Sequence, residues 1–400
     1  MKILMVLSRF PYPLYKGDML RAYYQIIELS KKNELYIACL TEDKEFPKYL
    51  PEIMPFCVAI EVVRLEKKQK FINALRGFFN SAPFQVNYFY SAEIKKKISA
   101  IIQKNKIDIC YVQLIRMALN IDFNQNCLFY LDFMDCFSAG MEKRTLHGNL
   151  ISQFFFKWEA QKVKNFETAI AQYFDGYSVI SDADKKLFSP TFREKICVVP
   201  NGIAQEFLNF RPSSQKDIDI IFTGNMSYAP NILAALYLVK EIMPILNKQY
   251  PALKVYLVGT NPCAKIKALA SNNIIVTGFV KDIKPFLGRS KVFVAPLFTG
   301  SGLQNKLLEA MATELPVLTT PLAAEALNAQ NFSELIICKN AQEFSTAIYR
   351  LLTEPLLAQK IGNNAKKFIR KEYNWYESAQ KLEQEWEKLF AQKFAQKKIR

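Results

Sequence analysis

The chain has 400 residues, half of them apolar and 22% charged, so it can bury a sizeable core and is not a disordered polar chain. Its 53 lysines and arginines against 37 acidic residues give a formal charge of +16, which invites phosphorylated ligands, an anionic membrane surface or nucleic acid. No recognisable module supports nucleic acid; a single histidine, His147, leaves no clustered zinc site; eight cysteines without a C-x-x-C pair fit scattered thiols in a reducing compartment.

The opening "MKILMVLSRFPYP" has too short an apolar run for a signal peptide, and no uninterrupted apolar run reaches the roughly 18 residues of a spanning helix. A cytoplasmic protein is expected, soluble or peripheral on the inner face of the membrane. "KILMVLS" (2–8) reads as a buried strand, followed by the turn-rich "RFPYPLYKGDMLR" and a helix "DMLRAYYQIIELSKK" with apolar residues at helical spacing. Strands follow in "ELYIACLT", "CVAIEVVRL", "KIDICYVQLI" and "CLFYLDFMD", then "FDGYSVIS", a helix at 182–189 and "KICVVPNGI". Strands apolar on both faces and alternating with helices make a parallel sheet covered by helices.

The breaker cluster "VVPNGI" (198–203) ends the first series. A second begins with "DIDIIFTGN", a helix at 230–246, "LKVYLVGTN", a helix near 262–271, "NIIVTGF" and a short helix at 282–289. It continues with "KVFVAPL", a helix from 303, "LPVLTT", "ELIICKN" and helices to the end. The expected domains are 1–205, 206–375 and a helical tail 376–400, with ligands beyond the carboxyl ends of the strands. The segment 67–90, "KKQKFINALRGFFNSAPFQVNYFY", breaks the rhythm with lysines and arginine among aromatic residues. It reads either as a lid packed on the first domain or as a basic helix lying in a membrane interface. "FFFKWEAQKVKNFE" (154–167) has the same character.

The stretch richest in chemistry is "GSGLQNKLLEAMA" (300–312), which follows "KVFVAPL" through the turn "FTGSG". Gly300, Ser301 and Gly302 let backbone N–H groups approach a ligand, and a helix start adds unsatisfied donors and a positive dipole end. Lys306 supplies charge for a diphosphate. Glu309, four residues after Asn305 and on the same face, can accept both hydroxyls of a ribose.

Together "GSGLQNKLLEAMATELPVLTT", "VVPNGI", "FTGNMSYAPN" and "TGFVKDIKPFLGRSKVFVAPL" resemble the retaining glycosyltransferases of family 4, with the GT-B fold. "RFPYPLYKGDMLR" and "YLDFMD" resemble a subgroup associated with bacterial exopolysaccharide systems. The resemblance implies an α/β protein of two Rossmann-like parallel-sheet domains facing across a cleft, with C-terminal helices returning to the N-domain. It implies a metal-independent transferase without a cofactor. A nucleotide sugar, UDP- or GDP-linked, would bind the C-domain, and a glycan or lipid-linked acceptor the N-domain.

Carried over by position, Glu309 matches the ribose-binding glutamate. Gly302, Leu303, Gln304, Asn305 and Lys306 match the diphosphate-facing turn and helix start, and Gly17 with Asp18 the glycine loop of the other domain. Val280 and Lys281 fall where the family's chain passes the nucleobase, and Gly224 and Asn225 follow the second domain's first strand. Three departures stand out. The first of the family's two glutamates falls at Ser301; its Arg/Lys pair is replaced by "GNMSYAPN" (224–231), shifting phosphate neutralisation to Lys306, Arg289 and the helix dipole; and its usual glycine before Leu315 is Glu314.

Where relatives carry a histidine, this chain reads "LDFMDCFS", offering Asp135 or Ser138, with Asp132 as the nearby alternative. Arg9, Lys16 and Arg21 surround the first glycine loop and Arg116 follows the fourth strand; together they suit an anionic acceptor. His147 is a further acceptor candidate. The readings that compete with a transferase are a GT-B epimerase or phosphorylase and a non-catalytic peripheral membrane relative.

Overall fold

The computed structural model describes residues 1–144, 150–300 and 302–398, in two compact units: Met1–Asn201 with Trp375–Arg400, and Gly202–Asn374. His147 and Ser301 lie outside the described residues. In the first unit seven strands, β1 (Lys2–Leu7), β2 (Glu34–Thr41), β3 (Ala59–Arg64), β4 (Ile109–Gln113), β5 (Leu128–Met134), β6 (Gly176–Val179) and β7 (Ile196–Val198), form one sheet in the order 3-2-1-4-5-6-7. All its pairings are parallel. The central strands are apolar on both faces because helices cover both. Ile3 and Met5 join one core cluster, Leu4 and Val6 the other.

The helices that shape this unit's functional surfaces are α1 (Gly17–Leu29), α2 (Lys67–Phe79), α3 (Phe84–Tyr88), α4 (Ala92–Asn105), α5 (Phe137–Arg144) and α6 (Leu150–Ala171). The last helix, Trp375–Lys398, belongs to this unit, as expected of the C-terminal helices. Its fully buried Trp386 meets the rings of Tyr111 and Tyr130 edge-on, each at 5.8 Å between centroids. Element ends differ from the sequence reading by a few residues. The short helices Phe46–Glu52 and Met54–Phe56, rich in proline, fill a stretch that carries no hydrophobic period.

The second unit holds β8 (Ile218–Thr223), β9 (Val255–Val258), β10 (Ile274–Gly278), β11 (Ser290–Ala295), β12 (Val317–Thr319) and β13 (Ile336–Ile337), again all parallel, in the order 10-9-8-11-12-13. The helical run Ala229–Leu246 has a mean hydropathy of 1.4, enough by length and composition to cross a membrane. Here it is a core helix: Ala234, Ala235, Leu238, Ile242 and Leu246 pack into the domain's cluster, and Lys240 and Glu241 interrupt the run.

Beneath the carboxyl end of the first sheet lies a fully buried ion pair, Arg21 Nε to Asp132 Oδ2 at 2.6 Å. Tyr111 OH donates to the same oxygen at 2.6 Å and Ser178 Oγ to Oδ1 at 3.0 Å, while Arg21 Nη1 reaches Asn201 Oδ1 at 2.8 Å. Asp132 and Arg21 were candidates for catalysis and for an anionic acceptor; both are instead structural, each consuming the other's charge with no exposed surface. A buried charge stripped of its partner is costly. Arg21→Met is expected to lower the unfolding free energy by about 3–5 kcal/mol, and Arg21→Met with Asp132→Leu by less than the single change, read from urea unfolding curves.

Candidate functional site

In the second domain the sequence stretch 300–312 becomes a turn and the helix Asn305–Ala312, just beyond β11. The turn needs glycine at 302, where φ is +70°, a conformation that other L-residues avoid. Leu307, Leu308, Ala310, Met311 and Ala312 anchor the helix in the core, leaving Asn305, Lys306 and Glu309 on its half-buried side. First-turn N–H groups have no intrahelical acceptor and point, with the dipole's positive end, beyond the strands.

Lys306 is held over the end of β8. Its ammonium donates a short hydrogen bond to Asn231 Oδ1 and lies 5.3 Å from the Phe222 ring centre. Asn231 Nδ2 in turn donates to the Asn225 carbonyl at 2.9 Å. Gly224 makes this possible: a Cβ there would come within 2.7 Å of Asn231 Nδ2 and 3.3 Å of Lys306 Nζ. Burial pulls the Lys306 ammonium down to about 8, against the stabilising charge of Glu309. Burial pushes the Glu309 carboxyl up to about 7; Lys306 and Lys284 oppose that shift and Glu206 adds to it. Lys284 and Glu206 form their own pair at 2.9 Å. The site therefore offers one polarised cation, a helix start and a carboxylate poised near neutrality.

The other candidates in this domain have different surroundings. Leu303 packs on the domain core, and the Asn225 side chain is spent accepting from Ser227 N at 3.0 Å and Oγ at 2.8 Å. Val280 is half-buried and Lys281 exposed, both just past β10. Arg289 does not assist the phosphates. It precedes β11 at the sheet's opposite end and binds Asp217 through two nitrogens. The glycine-to-Glu314 departure also has a physical basis: Glu314 sits at φ +61°, the left-handed conformation that glycine favours, and its carboxylate holds Lys366 at 2.9 Å.

Asn231 was missed as a site residue because the run 224–231 reads as uncharged; its signal is a buried amide in the first turn of the helix Ala229–Tyr237, just after Pro230. Three exposed aromatic residues, Tyr228, Phe279 and Phe298, follow β8, β10 and β11.

In the first domain, β5 ends irregularly. Its pairing with β6 shifts between Asp132 and Met134, and Met134 has φ +64°. A bulge with a non-glycine residue in the left-handed region re-aims the chain, and it sets Asp135 half-buried at the sheet's carboxyl end. Ser138 is buried and donates its backbone N–H to Glu167 Oε1 at 3.1 Å. Burial pushes the Glu167 carboxyl up to about 7, with Asp135 adding to the shift. Glu167 was not singled out in the sequence, yet Glu159, Val163 and Glu167 recur every four residues on the buried stripe of α6.

Nearby, Arg9 and Arg116 both stack on Phe89, at 5.6 and 5.5 Å from its centre, and Arg116 also on Phe137 at 5.0 Å. Lys16 is lowered by burial and then by Arg9. Gly17 opens α1 beside them; Asp18, expected on the donor, pairs instead with Arg9. Concavities of about 500 and 620 Å³ lie elsewhere, at the amino ends of the two sheets, beside Asp108 and Leu128 and beside Lys291 and Pro316.

Residues 217–354 match the family model described as "Glycosyl transferases group 1". A 44.6 kDa protein from a cps region of Klebsiella pneumoniae is 21% identical over 39% of this chain, and a glycosyltransferase of Methanocaldococcus jannaschii 26% identical over 31%. Those matches span 42% and 34% of the relatives' own lengths. The Anabaena protein HepE, solved with UDP and glucose, superposes with a TM-score of 0.65 at 14% identity, covering 95% of this chain and 98% of its own. The fold is GT-B in type, and the stretch similar to the group 1 glycosyl transferase model, 217–354, lies within the second domain.

A ribose clasp needs Glu309 ionised and a diphosphate needs Lys306 charged. Affinity for a ribose-bearing diphosphate is therefore expected to fall as pH drops below about 7 and again as it rises above about 8. In calorimetric titrations Glu309→Gln should flatten the acid limb and move the alkaline limb to lower pH, because the charge that supports the Lys306 ammonium is lost.

Proposed function

We propose that the chain is a retaining, metal-independent glycosyltransferase that moves a sugar from a UDP- or GDP-linked donor to an anionic glycan or lipid-linked acceptor. The observation that carries this reading is Lys306 and Glu309 three residues apart on the first turns of the helix Asn305–Ala312, with Lys306 held by Asn231 over Gly224. That spacing suits a nucleoside diphosphate, its phosphates at the lysine and helix start, its ribose at the glutamate. As the bond between sugar and phosphate breaks, negative charge builds on the leaving diphosphate, where the ammonium and helix dipole stabilise it. The exposed Tyr228, Phe279 and Phe298 offer ring faces to the base or sugar.

On the first domain Asp135 is assigned to the acceptor hydroxyl, as the group that orients it and takes its proton. Arg9, Lys16 and Arg116 would hold a phosphate on the acceptor, Arg9 giving up its pairing with Asp18; the two arginines meet over Phe89 and Lys16 feels the charge of both, which supports an anionic acceptor over a neutral one. Retention and family 4 membership rest on the resemblance of the sequence motifs. The relative from a cps region accords with a product in bacterial surface polysaccharide.

Incubation with UDP- and GDP-hexoses or N-acetylhexosamines and lipid-diphosphate acceptors should yield a product with the donor's anomeric configuration, formed equally with and without EDTA. Asp135→Asn should lower kcat about 10²–10⁴-fold with UDP affinity unchanged. Turnover of nucleotide sugar without acceptor would replace the transferase by an epimerase, and absence of binding to any nucleotide sugar would remove both.

A further inference from the structure

Helix α2 is built the wrong way round for a helix of a soluble surface. The residues it buries are Asn73 and Gly77, while Phe71, Leu75 and Phe79 point outward. Phe79 is 89% exposed and Phe71 66%. This orientation is fixed, because the buried side is tied down by specific contacts. Asn73 Nδ2 donates to the Tyr90 carbonyl at 2.7 Å, and Lys162 Nζ of α6 donates to the carbonyls of Gly77 at 2.6 Å and Asn80 at 2.7 Å, capping the helix end. A Cβ at Gly77 would press on the Phe84 ring at 3.1 Å, so α2 and α3 meet at the closest approach that glycine permits.

The apolar surface does not stop at α2. Phe78 meets Phe84 edge-on at 4.5 Å and lies 6.1 Å from Trp158, and Phe155 lies 5.4 Å from Phe84. This seam carries the patch onto α6, where Phe154 is 76% exposed. Along α2 itself the charge has one sign, although Glu66, paired with Arg64, stands just before it. Residues 67–79 contain four lysines and arginines and no acidic residue. Lys70 is neutralised by Glu42 at 2.8 Å, while Lys67, Lys68 and Arg76 are exposed.

We propose that this face of the first domain, α2 with the start of α6, is a docking surface for an anionic lipid bilayer. Aromatic and aliphatic side chains projecting between basic ones enter the headgroup boundary while the cations meet lipid phosphates. A second copy of the chain is the poorer occupant, since a two-fold contact would set Lys67, Lys68 and Arg76 against themselves. The sheet end that carries Arg9 and Arg116 is close by in the chain's own packing, because Phe89, on which both stack, directly follows α3. The docking surface does not depend on the transferase reading.

The test is flotation of the full chain with mixed phosphatidylglycerol–phosphatidylcholine vesicles and with phosphatidylcholine alone, with circular dichroism melts as the fold control. The chain should float with the anionic vesicles only. Phe71→Ser with Phe79→Ser, and separately Lys67→Glu with Lys68→Glu, should each weaken partition at least about tenfold at unchanged Tm. The proposal is overturned by no flotation with either vesicle, or by partition that both variants keep. It is overturned equally if the same variants instead abolish binding of a DNA duplex, or dissociate a dimer in solution without changing flotation.

Discussion

Asp132 accepts hydrogen bonds from Arg21, Tyr111, Ser178 and the Met134 backbone, and each donor comes from a different part of the first domain. Through this one carboxylate α1, β4 and β6 are locked to the end of β5. The same residue begins the register shift that places Met134 in the left-handed region and turns Asp135 outward. A full negative charge at zero exposure needs all of these donors, and a chain so constrained gives the strand end one conformation. The acceptor-side chemistry proposed for Asp135 thus depends on a charge three residues earlier that never meets a ligand.

The second domain uses its polar groups differently. There the cation is under-satisfied: Lys306 has one amide and one aromatic face for company, with Glu309 one turn along. Burial depresses the lysine and raises the glutamate, so both sit close to neutrality without a ligand. A dianionic ligand with vicinal hydroxyls answers both shifts at once, supplying negative charge to the lysine and donors to the carboxylate. The loss of a second basic pair in the run 224–231 is compatible with this, because Asn231 fixes the remaining cation in place.

Much of the fold was legible because it depends on the coarse period of apolar residues. Runs such as "KILMVLS" and "KVFVAPL" are buried on both faces, and only a parallel sheet between helices accepts them. The donor helix was legible for a related reason, since glycine, lysine and glutamate at that spacing carry chemistry in local sequence. What could not be read were pairings between distant residues. Nothing near Arg21 in sequence announces Asp132, 111 positions later, and nothing near Arg289 announces Asp217. Both arginines therefore looked available for a ligand when their charges were already taken. Glu167 escaped for a subtler reason: its helical stripe is legible, but that a carboxylate lies buried beneath the Ser138 backbone is a tertiary fact.

The return of the last helix to the first domain has a consequence for how the protein is made. Trp386 completes the core between Tyr111 and Tyr130, yet it leaves the ribosome only after the whole second domain has been synthesised. The domain translated first is therefore finished last. Until then its sheet waits with an open apolar face at Tyr111 and Tyr130, while Gly202–Asn374, being one uninterrupted stretch, has all its residues to hand. Chain order and folding order run in opposite directions here, and a nascent chain released before Trp375 would carry a whole second domain beside an unsealed first.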